Sequence, residues 1–180
     1  MGLVLVTGGA RSGKSALAVR IAAAQERPVA FVATAQAGDA EMAARIARHR
    51  AERPPGWRTV EEPLALRRAI AATPAGDCLL IDCLSLWAAN ALAAGAADAV
   101  EEAGCEAAVL AARRAGPTVA VTNEVGMGVV PATPLGRRYR DVLGRVNAAW
   151  AAGADQALLV VCGRALVLSD AAAVVRALGR

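Results

Sequence analysis

Lysine is almost absent from this chain: its 20 basic residues are 19 arginines and one lysine, Lys14. Aromatic residues are also scarce, at 3%, which argues against a base-stacking nucleic-acid platform because such platforms need clustered aromatics. The chain has one histidine, His49, and no C-x-x-C pair, so no zinc-site pattern is present. A composition that uses lysine only once indicates that position 14 requires a compact ammonium and not a planar guanidinium.

Long uncharged runs are missing as well, although the mean hydropathy is high at +0.40. The longest stretch without a charged residue, 83–97, spans 15 residues, whereas a membrane-spanning helix needs about 20. The apolar first six residues are followed at once by Gly8–Lys14, which leaves no room for a signal peptide. The sequence therefore predicts a soluble, cytoplasmic protein without a membrane span.

The 180 residues predict one domain over 1–180, and 56% hydrophobic and 20% charged residues are typical of a globular chain. The net charge of +4 favours a phosphate-bearing ligand and no nucleic-acid partner. The four cysteines are Cys78, Cys83, Cys105 and Cys162. Three of the four lie in or beside apolar runs, which predicts reduced core thiols.

Short apolar runs alternate with helical patterns along the chain. Strands are predicted over 2–7, 28–33, 78–82, 117–122, 156–162 and 165–168. Helices are predicted over 13–26, 39–52, 63–73, 83–94, 98–115 and 135–152, with a last one from 170. This alternation predicts an α/β fold with a mainly parallel sheet and helices on both faces. Because such sheets bind ligands at the carboxyl ends of their strands, the segments after the first four strands are expected to converge on one crevice.

A glycine-rich segment, GGARSGKS, lies between the first predicted strand and the first predicted helix. It fits the phosphate-loop pattern G-x-x-x-x-G-K-[ST] in the required context; the alternative is an ordinary glycine-rich turn. Backbone N–H groups and the helix N-terminus can hold a phosphate, while Lys14 can reach the β- and γ-phosphates and Ser15 can bind Mg²⁺. The predicted phosphate-binding residues are Gly8, Gly9, Ala10, Arg11, Ser12, Gly13, Lys14 and Ser15.

The third predicted strand ends in a carboxylate, Asp82, as a Walker B strand does. Asp82 could hold Mg²⁺ or accept a proton from an attacking hydroxyl; the alternative is a cap of the following helix, and the two roles are compatible. The guanine-reading N-K-x-D motif of common GTPases is absent, because Lys14 is the only lysine. Metabolite kinases and P-loop ATPases remain as interpretations.

The predicted helix that begins at Asp39 carries Arg45, His49 and Arg53 at i, i+4 and i+8, which places them on one face. Neighbouring cations disfavour imidazolium, and a neutral imidazole beside phosphate-binding arginines can attack phosphorus. The alternative is a solvated charged face with an incidental histidine.

Several segments together resemble one enzyme family. They are GGARSGKS, AT-x-Q after the second strand, EMAARIARHR, WRTVEEP, VTNEVGMGVVP and RDVLGRVN. The sequence resembles the bifunctional adenosylcobinamide kinase / adenosylcobinamide-phosphate guanylyltransferases of cobalamin biosynthesis. The resemblance covers nearly the whole chain, and VTNEVGMG is far more specific than the phosphate loop.

The resemblance implies a RecA-like P-loop NTPase sheet, a homotrimer, and the use of ATP, GTP and Mg²⁺. Enzymes of this family phosphorylate the hydroxyl of the aminopropanol arm of adenosylcobinamide with ATP or GTP. They then transfer GMP from GTP to that phosphate through a guanylylated histidine and release pyrophosphate.

The resemblance also assigns roles to residues: His49 matches the nucleophile, while Lys14 and Asp82 serve catalysis. Some members have Glu in place of Asp82 and Ser in place of Ala35, so a contact at position 35 must use the backbone. The further nucleotide contacts that it implies are Thr34, Ala35, Gln36, Arg50, Ala51, Glu52, Arg53, Glu61 and Asp82.

Two other function classes stay open from the residues alone. One is a small-molecule P-loop kinase of another pathway with a structural His49, and the other is a RecA-like nucleotide-binding module acting on DNA or a protein. Asn123 and Glu124 follow the fourth predicted strand and are expected at the crevice, without an assigned role.

Overall fold

The computed structural model describes residues 2–95 and 99–179. Its strands are β1 (Leu3–Gly8), β2 (Val29–Ala33), β3 (Arg58–Glu61), β4 (Cys78–Asp82), β5 (Thr118–Val121), β6 (Gln156–Val161) and β7 (Arg164–Leu168). Its helices are α1 (Lys14–Ala23), α2 (Ala40–Ala51), α3 (Leu66–Ala72), α4 (Leu84–Ala93), α5 (Val100–Ala112), α6 (Pro134–Gly153) and α7 (Ala171–Leu178).

These strands form one seven-stranded sheet in the order β3-β2-β4-β5-β1-β6-β7. Every neighbouring pair is parallel except β6 and β7, which are antiparallel. The mainly parallel α/β sheet predicted from the sequence is therefore confirmed. One strand, β5, lies between the strand that leads into the phosphate loop and the strand that ends at Asp82.

Alternation along the central strands divides the core between the two faces of the sheet. In β1, Leu3 and Leu5 pack in a cluster with α3, α4, α5 and α6. The intervening Val4 and Val6 pack in a second cluster with α1. Because the central strands are buried on both faces, they are continuous apolar runs in the sequence, which is why their predicted bounds lie within a residue or two of the observed ones.

The edges of the sheet account for most differences from the prediction. Strand β3 was not predicted: its sequence, RTVE, is largely exposed, so it carries no apolar run, and its pairing with β2 makes it a strand. The prediction of core thiols holds for Cys78 and Cys83, whereas Cys105 is only partly buried. It is wrong for Cys162, which is exposed because it lies in the turn between β6 and β7. The predicted start of a helix at 98 lies outside the described residues.

Two helices differ from the others because neither has a buried residue: α2 and α7. Helix α2 follows β2, and α7 follows the exposed strand β7. Within residues 2–95 and 99–179, no helix combines the length and the apolar character needed to cross a membrane.

Candidate active site

A cavity of about 720 Å³ opens at the carboxyl ends of the strands. The segments after β1, β2, β4 and β5 all contribute to its wall, as the sequence predicted. Its wall on the sheet side is formed by Lys14, Ser15, Phe31, Ala33, Ala35, Gln36, Ala37, Glu61, Pro63, Asp82, Cys83, Leu86 and Asn123. Its opposite wall comes from α2 and the residues after it, namely Met42, Arg45, Ile46, His49, Arg50 and Arg53.

The phosphate loop needs glycine at two positions for steric reasons. A Cβ on Gly8 would lie 2.4 Å from the carbonyl oxygen of Val160, and one on Gly13 would lie 3.3 Å from Gly163 Cα. Gly13 also adopts a φ of +97°, a conformation that residues with a Cβ rarely adopt. Gly163 N–H donates to Ser12 O at 2.8 Å, so the turn between β6 and β7 supports the loop from behind.

Lys14 is 8% exposed, and its Nζ donates to Gly9 O at 3.0 Å across the loop. Burial lowers the pKa of Lys14, with Arg45 acting in the same direction, while Cys83 and Asp82 act against this shift. The hydroxyl of Ser12 is buried without a hydrogen-bond partner among the described residues. A phosphate group bound by the loop would bring oxygen acceptors to both side chains.

Asp82 and Ser15 face each other where β4 ends and α1 begins. Burial raises the pKa of Asp82, while the hydrogen bond from Ser15 and the charges of His49, Lys14 and Arg53 act in the opposite direction. A hydroxyl and a carboxylate held together are oxygen ligands of the kind that Mg²⁺ prefers, with substrate phosphates and water completing its shell. The donor set therefore fits the predicted metal.

Helix α2 presents His49 to this cavity. The helix begins after Asp39, which accepts a hydrogen bond from Met42 N–H at 2.7 Å and caps the N-terminus as predicted. Arg45 and His49 line the cavity from one face of α2, and Arg53 follows just beyond its last residue. The three residues that the i, i+4, i+8 spacing places on one face therefore line the cavity, and this face is not merely a solvated one.

Contacts to the edge of the sheet hold the C-terminal end of α2. The guanidinium of Arg53 lies 3.8 Å from the ring centroid of Phe31, and its Nη1 donates to Thr59 Oγ1 at 3.1 Å. Burial lowers the pKa of Arg53. Arg50 forms an exposed ion pair with Glu61. Two of these three partners, Thr59 and Glu61, belong to β3, the strand that the sequence did not reveal; the third, Phe31, belongs to β2.

Some of the predicted nucleotide contacts lie away from the cavity wall. Thr34 is fully buried, and its hydroxyl bonds both the carbonyl and the N–H of Cys83, at 2.7 and 2.8 Å. Ala51 and Glu52 are exposed outside the cavity. Ala35 and Gln36 line it, as predicted. The nucleotide contacts of all five residues stay predictions.

Sequence reasoning missed Phe31 and Cys83 as residues of the cavity wall. Phe31 is the only phenylalanine of the chain and lies two positions before Ala33 in β2. Because alternate strand residues share a face, Phe31 could have been placed beside Ala33 from the strand pattern. Cys83 directly follows Asp82 at the end of β4, and this position alone could have indicated that Cys83 lies at the crevice.

The cavity thus combines two chemistries. Lys14, Ser15 and Asp82 form a site suited to phosphoryl transfer, and His49 brings an imidazole, a group that can act as a nucleophile, to the same space. Arginines from α2 can neutralise phosphate oxygens while charge develops on them.

Comparisons with known proteins agree with this geometry. A protein named bifunctional adenosylcobalamin biosynthesis protein CobP, from Pseudomonas aeruginosa, is 47% identical over 163 residues, covering 88% of this chain and 92% of that protein. Proteins named bifunctional adenosylcobalamin biosynthesis protein CobU are 43% identical in Salmonella typhimurium and 41% identical in Escherichia coli. Each of these two matches spans 175 residues, covering 89% of this chain and 96% of the other.

Among solved structures, the RadB recombinase matches with a TM-score of 0.41 and 15% identity, covering 88% of this chain and 73% of that one. That likeness is too distant to bear on function. The family model described as cobinamide kinase / cobinamide phosphate guanyltransferase matches residues 4–168. Because this match spans most of the chain and the relatives share more than 40% of their residues with it, the chain belongs to the CobU family of cobinamide kinases / cobinamide phosphate guanyltransferases.

Proposed function

We propose that this protein phosphorylates adenosylcobinamide with ATP or GTP and then transfers GMP from GTP to the product, giving adenosylcobinamide-GDP and pyrophosphate. The observation that carries the proposal is the position of His49, which lines the same cavity as Lys14, Ser15 and Asp82. A kinase without a covalent intermediate needs no histidine there.

In the kinase step, the loop residues Gly8–Ser15 hold the phosphates and Lys14 neutralises charge on the transferred group. Ser15 and Asp82 would hold Mg²⁺, which neutralises the charge of the nucleotide phosphates. Asp82 accepts the proton of the attacking hydroxyl as the oxygen bonds to the γ-phosphorus. The nucleoside diphosphate leaves with the electron pair of the broken bond.

In the guanylyl step, the neutral imidazole of His49 attacks the α-phosphorus of GTP, forms a P–N bond and expels pyrophosphate. Arg45, Arg50 and Arg53 neutralise the phosphate oxygens. A phosphate oxygen of adenosylcobinamide phosphate then attacks the same phosphorus, breaks the P–N bond and regenerates His49. Two displacements thus replace one difficult transfer.

The homotrimer and the cytoplasmic location are part of this proposal. The C-terminal elements leave apolar side chains exposed, among them Val167 at 68% and Leu178 at 81%, and exposed apolar patches commonly mark subunit contacts. Light scattering on the purified protein should give three times the monomer mass of 18.2 kDa. A monomer at micromolar concentration would contradict the trimer and leave the chemistry standing.

Labelling with GTP tests the covalent step. Protein incubated with GTP carrying label in the α-phosphate should retain that label after denaturation, and the bond should be acid-labile and base-stable, as a P–N bond to histidine is. GTP labelled in the γ-phosphate is the control and should leave no such label. Phosphorylation of adenosylcobinamide without any retained α-label would favour a plain kinase.

A further inference from the structure

Asn123 lies where the sheet brings the two parts of the phosphate site together. It follows β5, which lies between β1 and β4. The N–H groups of the residues on either side of it donate to backbone oxygens of β1, at 3.0 and 3.2 Å, and β4 ends at Asp82 on the other side. Asn123 is therefore held between the start of the phosphate loop and the carboxylate of Asp82.

Neighbouring helices hold both the side chain and the backbone of Asn123. Its Nδ2 donates to Ser85 Oγ at 3.1 Å, and its backbone oxygen accepts from Asn147 Nδ2 at 3.0 Å. Ser85 is itself positioned, because its backbone oxygen accepts from the hydroxyl of Tyr139 at 3.2 Å. Contacts from α4 and α6 thus hold one asparagine in a single position at the cavity wall.

The amide oxygen of Asn123 has no hydrogen-bond partner among the described residues, although it is buried. Asn123 also lines the cavity. A buried acceptor without a donor costs stability, so a native protein that keeps one needs a reason for it, and a role at a functional site is one such reason. Phosphate oxygens cannot complete this one, because they are acceptors themselves. The missing partner must be a donor.

We infer that Asn123 positions the acceptor substrate: its Oδ1 accepts a hydrogen bond from an N–H or O–H group on the substrate arm, beside the hydroxyl that is phosphorylated. This inference rests on the proposed kinase function. Asn123 makes and breaks no covalent bond, and Asp82 still takes the hydroxyl proton. The amide holds the arm so that its hydroxyl oxygen meets the γ-phosphate in line, and alignment of this kind is a large part of phosphoryl-transfer catalysis.

The variant Asn123→Leu, which keeps the approximate shape of the side chain but removes its oxygen, tests the inference. The KM for cobinamide should rise by about tenfold, the usual effect of losing one hydrogen bond to a neutral donor. The KM for the nucleotide and the yield of α-labelled protein from GTP alone should change less, because neither involves the acceptor. The thermal midpoint should change little, because the variant loses the hydrogen bond to Ser85 Oγ but also removes a buried acceptor that lacks a partner.

A second variant, Ser85→Ala, covers the case in which Asn123→Leu does not fold. It releases the amide of Asn123 without altering it, so the KM for cobinamide should rise by a few fold and in preference to the KM for the nucleotide. Asn90 provides a matched control, because its amide donates to the backbone oxygens of Thr34 and Pro63 and it does not line the cavity. Asn90→Ser should not raise the cobinamide KM selectively.

Equal rises in the two KM values, or a raised Mg²⁺ requirement, would overturn the inference, because Asn123 would then serve the nucleotide or its metal. A lower thermal midpoint with kinetic constants like those of the parent would also overturn it and make the residue structural. If the unaltered protein phosphorylates no cobinamide and forms no adduct, the proposed function itself fails. That outcome is distinguishable, because it appears before any substitution is made.

Discussion

The two walls of the cavity are built in opposite ways. The wall on the sheet side, here called the strand-end wall, is part of the core. Lys14 is 8% exposed, and burial shifts the pKa values of both Lys14 and Asp82. The α2 wall has no buried residue in its helix, and its described anchors are the ion pair of Arg50 with Glu61 and the two contacts of Arg53. Exposed ion pairs contribute about 0–1 kcal/mol each, so α2 is held far more weakly than the phosphate loop.

This difference separates the two activities physically. A preorganised, desolvated loop stabilises the charge of phosphoryl transfer without rearrangement. The proposed nucleophile for guanylyl transfer, His49, lies on an element that weak contacts hold, and such elements are where conformational change concentrates. Substitutions in the phosphate loop should therefore affect every reaction of the nucleotide, and substitutions in α2 should affect guanylyl transfer selectively.

His49→Ala should produce the largest selective effect. It should abolish the GMP adduct and guanylyl transfer, because the chain has no other histidine, while a measurable share of phosphorylation persists without a protein nucleophile. Labelled GTP and product analysis measure the two reactions. Arg48→Ala, on the same helix but outside the cavity wall, is the control. An adduct that survives in His49→Ala would place the nucleophile elsewhere.

Lys14→Ala should reduce both reactions by about a hundredfold or more, because it removes an ammonium from developing phosphate charge. Steady-state rates of the two reactions measure the effect, and circular dichroism checks that the fold is intact. Arg20→Ala removes an exposed cation from the same helix and should leave both rates near those of the parent. Turnover near normal in Lys14→Ala would remove the loop from the mechanism.

Asp82→Asn should slow the kinase step by at least about tenfold and raise its Mg²⁺ requirement, because the neutral amide neither holds the metal as well nor accepts a proton. Unchanged rate and metal dependence would remove Asp82 from the mechanism; the helix-cap alternative does not hold either, because the N-cap of α4 is Cys83 and no side chain caps it.

The pH profile of the kinase step should report the same carboxylate. Burial raises the pKa of Asp82, and the ionised form is the active one. Activity should therefore fall as the pH drops through that raised pKa, so kcat/KM should decline at a higher pH than it would for an ordinary aspartate. A profile of the parent that stays flat down to the usual aspartate range would contradict this assignment.

The contrast between buried central strands and exposed edge elements also explains which features could be predicted from the sequence. The phosphate loop and β4 are recognisable because buried parallel strands are continuous apolar runs that end in polar residues. Strand β3 was missed because an exposed edge strand has no such run. The contacts that its residues Glu61 and Thr59 make with Arg50 and Arg53 were therefore missed as well. The unpaired oxygen of Asn123 depends on contacts from α4 and α6 that are distant in the chain, so no local pattern reveals it.

Glu61→Gln should have the smallest effect and tests the weak anchoring of α2 directly. The substitution removes the charge that pairs with Arg50 while keeping nearly the same shape, so guanylyl transfer should fall by only a few fold, in line with the modest free energy of an exposed pair. Because salt screens such pairs, the difference from the parent should shrink as the ionic strength rises. Glu106→Gln is a matched control, because Glu106 forms a comparable exposed ion pair with Arg67. That pair joins α5 to α3, which pack on the face of the sheet opposite to α1. A loss in phosphorylation as large as that in guanylyl transfer would show that Glu61 acts on the shared nucleotide site and not through α2.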